Sequence, residues 1–60
     1  SMIYELQRDG SHLFYHYIER YDSLFKRKYY GYNEYAAKQK FREELKREIE
    51  LLKNNNRRVI

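Results

Sequence analysis

The chain has 60 residues, enough for one small domain with a limited apolar core. It contains no cysteine and no proline, which excludes disulfides and removes the strongest helix breaker. The formal net charge is +4, and charged residues of both signs make up 37% of the chain. No apolar run has the length of a membrane span, and no targeting signal is visible, so the localisation stays unknown.

The first segment, residues 1–10, is predicted to be a short N-terminal helical arm. Its core, MIYELQR, mixes apolar and polar residues over two potential helical turns. Asp9-Gly10-Ser11 then interrupts the pattern. Ser11 is predicted to be the N-cap of the next helix, because a serine hydroxyl can accept a free backbone N–H of the first turn.

The second segment, residues 11–31, is predicted to be a long amphipathic helix. Its apolar residues recur at spacings of three and four, at Leu13, Phe14, Tyr17, Ile18, Tyr21, Leu24, Phe25 and Tyr29. On a helical wheel they fill an arc of about 160°. Gly31 ends this segment and suits the left-handed position that often ends a helix.

The third segment, residues 33–54, is predicted to be a second long helix. Asn33 is a favourable N-cap, and Glu34 in the first turn suits the helix dipole. The apolar stripe is narrower here and consists of Ala37, Phe41, Leu45, Ile49 and Leu52. The asparagine run at 54–56 is expected to end the helix and leave residues 55–60 as a tail.

Because the link between the two long helices is short, they are predicted to pair as an antiparallel hairpin. The fold class is therefore all-α: a single small domain in which two long helices pack as in a coiled coil, with a short N-terminal arm. Phe25 and Tyr21 are expected to be buried against the last helix, near Phe41 or Leu45. Eight tyrosines supplement a thin aliphatic supply.

The apolar arc of the second segment is wider than the stripe available to cover it. Exposed apolar surface of this kind is typical of interfaces. The leading functional prediction is a non-enzymatic protein–protein interaction module that binds a protein partner or a second copy in a homodimer. The candidate partner-binding residues are Phe14, Tyr17, Ile18, Tyr21, Phe25 and Tyr29.

The sequence contains little that indicates catalysis or metal binding. His12 and His16 have the i,i+4 spacing of helical metal ligands, but no third ligand is evident. They are therefore expected to be solvent-exposed, and neither a metal nor a cofactor is predicted. The chain has no glycine-rich phosphate loop, and no base is evident for Ser11 or Ser23, so an enzyme is not expected.

Nucleic-acid binding is a less favoured alternative. Basic residues at 26–28 stand beside Tyr29, Tyr30, Tyr32 and Tyr35. Tyrosines can stack bases while lysine and arginine neutralise phosphates. The low net charge argues against it, and the corresponding prediction is a small basic nucleic-acid-binding helical domain.

A further alternative rests on a family resemblance. It is carried by Tyr21, Phe25, Arg27, Tyr29, Glu34, Lys38, Phe41 and Ile49. This pattern resembles the helical part of the inhibitory propeptides of papain-like, cathepsin L-type cysteine proteases. The sequence departs from that pattern at Arg42, Leu45 and Lys53, and the segment that fills the protease cleft does not follow. The resemblance implies crossed helices and inhibition of a papain-like protease.

Overall fold

The protein consists of a three-stranded antiparallel sheet and one long helix. The computed structural model describes residues 2–58, with side chains for residues 2–55. The elements in chain order are β1 (Met2–Leu6), β2 (His12–Ile18), a 3-10 turn (Glu19–Tyr21), β3 (Ser23–Tyr29) and α1 (Glu34–Arg58). The strand order is β1-β2-β3, so β2 is central and both neighbours are edges. No helix within the described residues combines the length and apolarity of a membrane span.

The predicted all-α fold is wrong, and with it the helical hairpin and its coiled-coil pairing. The helix predicted over residues 11–31 is replaced by two strands, and the arm predicted over residues 1–10 is a strand over positions 2–6. Ser1 lies outside the described residues. A spacing of four separates Phe14 from Ile18, and four residues are both about one helical turn and two full pleats of a strand. Residues 12–29 are rich in tyrosine, phenylalanine and isoleucine, and these residue types favour strands.

The interruption at Asp9-Gly10-Ser11 is a hairpin turn between β1 and β2. The Gly10 amide donates to the Gln7 carbonyl at 3.0 Å, and Gly10 has a φ of 86°, which favours glycine. The Ser11 amide and hydroxyl both donate to the Asp9 carboxylate, at 3.0 and 2.6 Å. These bonds lower the pKa of Asp9. Ser11 is therefore a buried turn residue and not the predicted helix N-cap.

The second connection reverses the chain between β2 and β3 through the 3-10 turn. Asp22 closes it with φ 52° and ψ 50°, and its amide donates to the Glu19 carbonyl at 3.2 Å. Aspartate is one of the few residues other than glycine that occupy this left-handed region readily. The turn thus brings β3 back beside β2 in register from Ile18 opposite Ser23 onwards.

The last helix begins after Asn33, where the capping signal predicts its start, and it extends beyond the predicted end. The Asn33 side-chain oxygen accepts a hydrogen bond from the Ala36 amide at 2.8 Å, which is an N-cap contact. The helix continues through the asparagine run to Arg58, because asparagine costs a helix much less than glycine or proline does. Positions 59 and 60 of the predicted tail lie outside the described residues.

The core lies between α1 and one face of the sheet. Ala37 and Phe41 are both fully buried. The Phe41 ring lies 5.3 Å from the Phe14 ring and 5.5 Å from the Phe25 ring, measured between centroids. The predicted burial of Phe25 near Phe41 is therefore confirmed, although Phe25 reaches the helix from a strand. Tyr21 is half-buried and packs against the same cluster.

Candidate functional site

The strand register sorts the side chains of the sheet into two faces. Phe14 lies opposite Tyr4 and Arg27, and His16 lies opposite Met2 and Phe25; this set faces α1. Side chains alternate along a strand, so the intervening residues point away from the helix. We call that uncovered surface the open face. It consists of Ile3, Glu5, Leu13, Tyr15, Tyr17, Leu24, Lys26 and Lys28.

The centre of the open face is apolar and aromatic. Tyr15 on the central strand lies between Ile3 and Lys26, and Tyr17 lies beside Leu24. Tyr17 is 44% exposed and Leu24 is 59% exposed. Leu13 is buried but does not belong to the core cluster beneath α1, so its neighbours on the open face cover it. The surface therefore contains one buried apolar residue, flanked across the sheet by Glu5 and Lys28, and exposed groups around it.

Both tyrosines of the open face are held by carboxylates. The Tyr15 hydroxyl donates to Glu5 at 3.1 Å, and the Tyr17 hydroxyl donates to Asp22. These hydrogen bonds, together with partial burial and the negative charge of each carboxylate, raise the pKa of both tyrosines. The two phenol groups are consequently neutral donors at physiological pH.

Charge is distributed unevenly across the open face. Lys26 and Lys28 are exposed along β3, whereas Glu5 on β1 is acidic and the Asp22 carboxylate meets the face at Tyr17. Arg8 is exposed in the first turn, and Arg20 is exposed in the turn at the opposite end of the strands. The middle of β3 is therefore positively charged, while the turns carry charges of both signs, with Asp9 beside Arg8 and Glu19 and Asp22 around Arg20.

The six residues predicted to bind a partner do not share one surface. Phe14, Ile18, Phe25 and Tyr29 are buried in the core, and Tyr21 is half-buried beside it. Among them, Tyr17 is the one that lies on the open face. A strand-period count would have separated the two sets, because the buried residues occupy alternate positions of β2 and β3. It would also have placed Tyr15 on the same face as Tyr17, whereas the helical spacing left Tyr15 out of the candidate residues.

The tyrosines near the end of β3 have different environments. Tyr30 and Tyr32 are exposed in the loop before α1, and Tyr35 is exposed in its first turn. The Lys28 ammonium lies 6.0 Å from the centre of the Tyr30 ring. The aromatic and basic cluster predicted from sequence is thus divided between the loop and the open face.

The two histidines are not arranged as a metal site. His12 is buried; its Nε2 donates to the Tyr32 carbonyl at 2.9 Å, so its Nδ1 in the neutral ring accepts from the Tyr4 hydroxyl at 2.8 Å. The predicted solvent exposure of His12 is therefore wrong, and this side chain connects β1 and β2 to the loop before α1. His16 is half-buried. A spacing of four on a strand separates two residues by about 13 Å, and no metal-binding group of acidic, histidine or cysteine side chains occurs within the described residues.

Tyr29 links the sheet to α1. Its ionisation at alkaline pH is expected to lower the stability of the fold. Its hydroxyl donates to Glu44, and burial, that bond and the Glu44 charge raise its pKa. A tyrosine whose folded pKa exceeds its unfolded value stabilises the fold below the unfolded pKa of about 10, and this stabilisation disappears as the pH rises towards the folded pKa. We expect the midpoint of urea unfolding to fall steadily above pH 10.

The control for this measurement is Tyr29→Phe. This variant loses the hydroxyl and leaves Glu44 without its donor, so it should be less stable at pH 7 by about 1–2 kcal/mol. Its stability should fall less steeply above pH 10, with the remaining slope due to Tyr4, Tyr15 and Tyr17, whose pKa values are also raised. Equal slopes for the two proteins would contradict the assignment to Tyr29.

Comparison with protein-family models, curated proteins and solved structures found no match. The resemblance to cysteine protease propeptides is therefore not tested, and protease inhibition stays a prediction. The helical part of that pattern is found in α1, which carries Glu34, Lys38, Phe41 and Ile49. Its aromatic part is not helical, because Tyr21 ends the 3-10 turn and Phe25 and Tyr29 lie in β3.

Proposed function

We propose that the chain is a non-enzymatic module that binds double-stranded DNA with the open face of its sheet. The observation that carries the proposal is the placement of Tyr15, Tyr17, Lys26 and Lys28 on one uncovered face, while α1 fills the other. Tyrosine hydroxyls, whose oxygens can still accept a hydrogen bond, and apolar groups then lie along the middle of the surface, and ammonium groups lie along one side. This is the arrangement needed to approach base edges and a phosphate backbone together.

The dimensions of the sheet support the DNA major groove as the binding site. Adjacent strands are about 4.8 Å apart, so the outer strands of this sheet are separated by about 10 Å. The major groove is about 12 Å wide and admits β-structure as well as helices. In such a complex the side chains of β2 face the base edges. Lys26 and Lys28 on β3 reach the phosphates of one strand.

Exposure favours a duplex over a single strand. Single-stranded nucleic acids bind by stacking successive bases on freely exposed aromatic rings. Tyr15 is half-buried between its neighbours, which leaves Tyr17 as the one well-exposed ring on the open face. One exposed ring does not form a platform for consecutive bases. Groove contacts, by comparison, require edges and hydroxyls and do not need exposed ring faces.

The exposed apolar groups Ile3 and Leu24 are also compatible with a protein partner, so the test must separate the two classes of ligand. Binding of a labelled random-sequence duplex should be measured by fluorescence anisotropy at salt concentrations between 50 and 200 mM. Non-specific dissociation constants are typically about 10⁻⁴ to 10⁻⁶ M near physiological salt, so protein concentrations should span this range. Two phosphate contacts, from Lys26 and Lys28, predict a slope of log K against log salt of about −2.

Two controls accompany the duplex. The single strand of the same sequence should bind more weakly at every salt concentration, and an acidic polypeptide such as polyglutamate should bind weakly or not at all. If the single strand binds more tightly than the duplex, the proposed duplex ligand is wrong and single-stranded nucleic acid is the ligand. Absence of duplex binding at the lowest salt concentration, or binding that does not depend on salt, would refute nucleic-acid binding by this face.

A further inference from the structure

The two edge strands of the sheet differ in how well they are protected from pairing with another strand. Exposed edges are usually protected by lysine, proline or bulges, since unpaired backbone groups can pair with another chain. On β3, Lys26, Arg27 and Lys28 supply such charges. On β1 the charged residue is Glu5, and Ile3 and Leu6 are 45% and 64% exposed.

The first turn determines which backbone groups of β1 are free. The Gln7 amide donates to the Ser11 carbonyl at 2.9 Å, and the Gln7 carbonyl accepts from Gly10, so both backbone groups of Gln7 point towards β2. Successive residues of a strand point their N–H and C=O groups to opposite sides. Ile3 and Glu5 therefore also point to β2, and the free groups belong to Met2, Tyr4 and Leu6.

We infer that two copies of this chain pair through β1, antiparallel, about a two-fold axis at Tyr4. In this register Tyr4 lies opposite Tyr4 of the second copy, and Met2 lies opposite Leu6. Every free backbone group of one strand then meets a free group of the other, and the two sheets become one sheet of six strands. Two-fold pairing is the commonest symmetry of protein oligomers.

Side-chain cover and charge agree with this register. α1 packs mainly over β2 and β3, and the helix-side residues of β1 are incompletely covered: Met2 and Tyr4 are half-buried and Leu6 is exposed. The second copy places its own Met2 beside that Leu6. Glu5 lies opposite Ile3 of the second copy, so no like charges face each other. The inference is independent of DNA binding, because edge pairing leaves the open face uncovered.

The test compares two lysine substitutions by sedimentation across a hundredfold dilution. The unmodified chain should change from monomer to dimer as its concentration rises into the high micromolar range. Leu6→Lys should weaken dimerisation at least tenfold without lowering the melting temperature of the dilute monomer, since Leu6 is 64% exposed. Leu24→Lys makes the same change on β3, at 59% exposure, and should leave dimerisation unchanged.

Cysteine cross-linking tests the register, because the natural chain has no cysteine. Ile3 and Glu5 of the second copy form a non-hydrogen-bonded pair, with Cα atoms about 4.5 Å apart, which is within disulfide range. Oxidation of an I3C and E5C mixture should give the mixed dimer in excess over either symmetric product. A chain that is monomeric at every concentration overturns the inference. A dimer that resists Leu6→Lys, or that shows no preference for the mixed product, overturns it as well.

Discussion

Phe41→Ala is expected to leave most of the protein unfolded at room temperature. Phe41 is fully buried and its ring contacts Phe14 on β2 and Phe25 on β3, so it joins α1 to both strands. Truncating a buried phenylalanine costs about 3–5 kcal/mol. A single hydrophobic core in a chain of this size rarely supplies more than about 3–5 kcal/mol in total. The loss therefore matches the whole stability of the fold.

Far-UV circular dichroism with urea titration measures the effect of this substitution. Leu51→Ala is the matched control, because Leu51 is on the same helix and is 58% exposed. It should change the free energy of unfolding by less than about 0.5 kcal/mol. Cooperative unfolding of Phe41→Ala within 1 kcal/mol of the unmodified chain would mean that α1 does not pack on the sheet through Phe41.

Reversing both lysines of the open face, as K26E with K28E, should lower the affinity for duplex DNA by about 100-fold or more at 50 mM salt. Two phosphate contacts are lost and two repulsive charges take their place. The salt slope should become shallower by about 2. Both side chains are exposed, and glutamates keep the β3 edge charged, so the fold should remain intact.

The control for this charge reversal must change the net charge equally at another place. Arg42 and Lys46 are exposed on α1, on the opposite side of the molecule from the open face. R42E with K46E lowers the net charge by the same amount as K26E with K28E. It should reduce the duplex affinity by less than about tenfold, through long-range electrostatics that salt screens. Equal losses for the two pairs would show that net charge, and not the open face, determines binding.

The sequence pattern of the last helix fits one structure, whereas the spacings in the first half of the chain fit two. In α1, Asn33 supplies the N-cap, and a strand is disfavoured because Gln39 and Glu43 would share its face with the apolar stripe of Ala37, Phe41 and Leu45. In β2 and β3 the spacings of four fit either period. The apolar arc of about 160° was wide because it merged core residues such as Phe14 with open-face residues such as Tyr17.

One local signal favoured the hairpin. Asp-Gly between two segments rich in tyrosine, phenylalanine and isoleucine is a strong indication of a tight β-turn. Interpreted as a helix boundary, it made Ser11 an N-cap, whereas Ser11 in fact donates two hydrogen bonds to Asp9. Correct use of this signal predicts β1 and β2. It also places Tyr15 and Tyr17 on one face of β2, and these two tyrosines are half of the four residues that carry the proposed site.

The amino-acid sequence by itself determined the helix from Asn33 onwards, because local capping and a single apolar stripe specify it. The contact of Phe25 with Phe41 was predicted as well, but from a helix where the structure has β3. The tertiary structure alone decided which tyrosines are buried. Tyr29 lies on the face that α1 covers and binds Glu44 of that helix. Tyr17 lies on the opposite, open face and stays exposed. That choice depends on the face of the sheet that α1 covers, which is fixed by contacts between residues distant in sequence such as Tyr29 and Glu44, whereas the strand period separates the two faces without saying which one is covered.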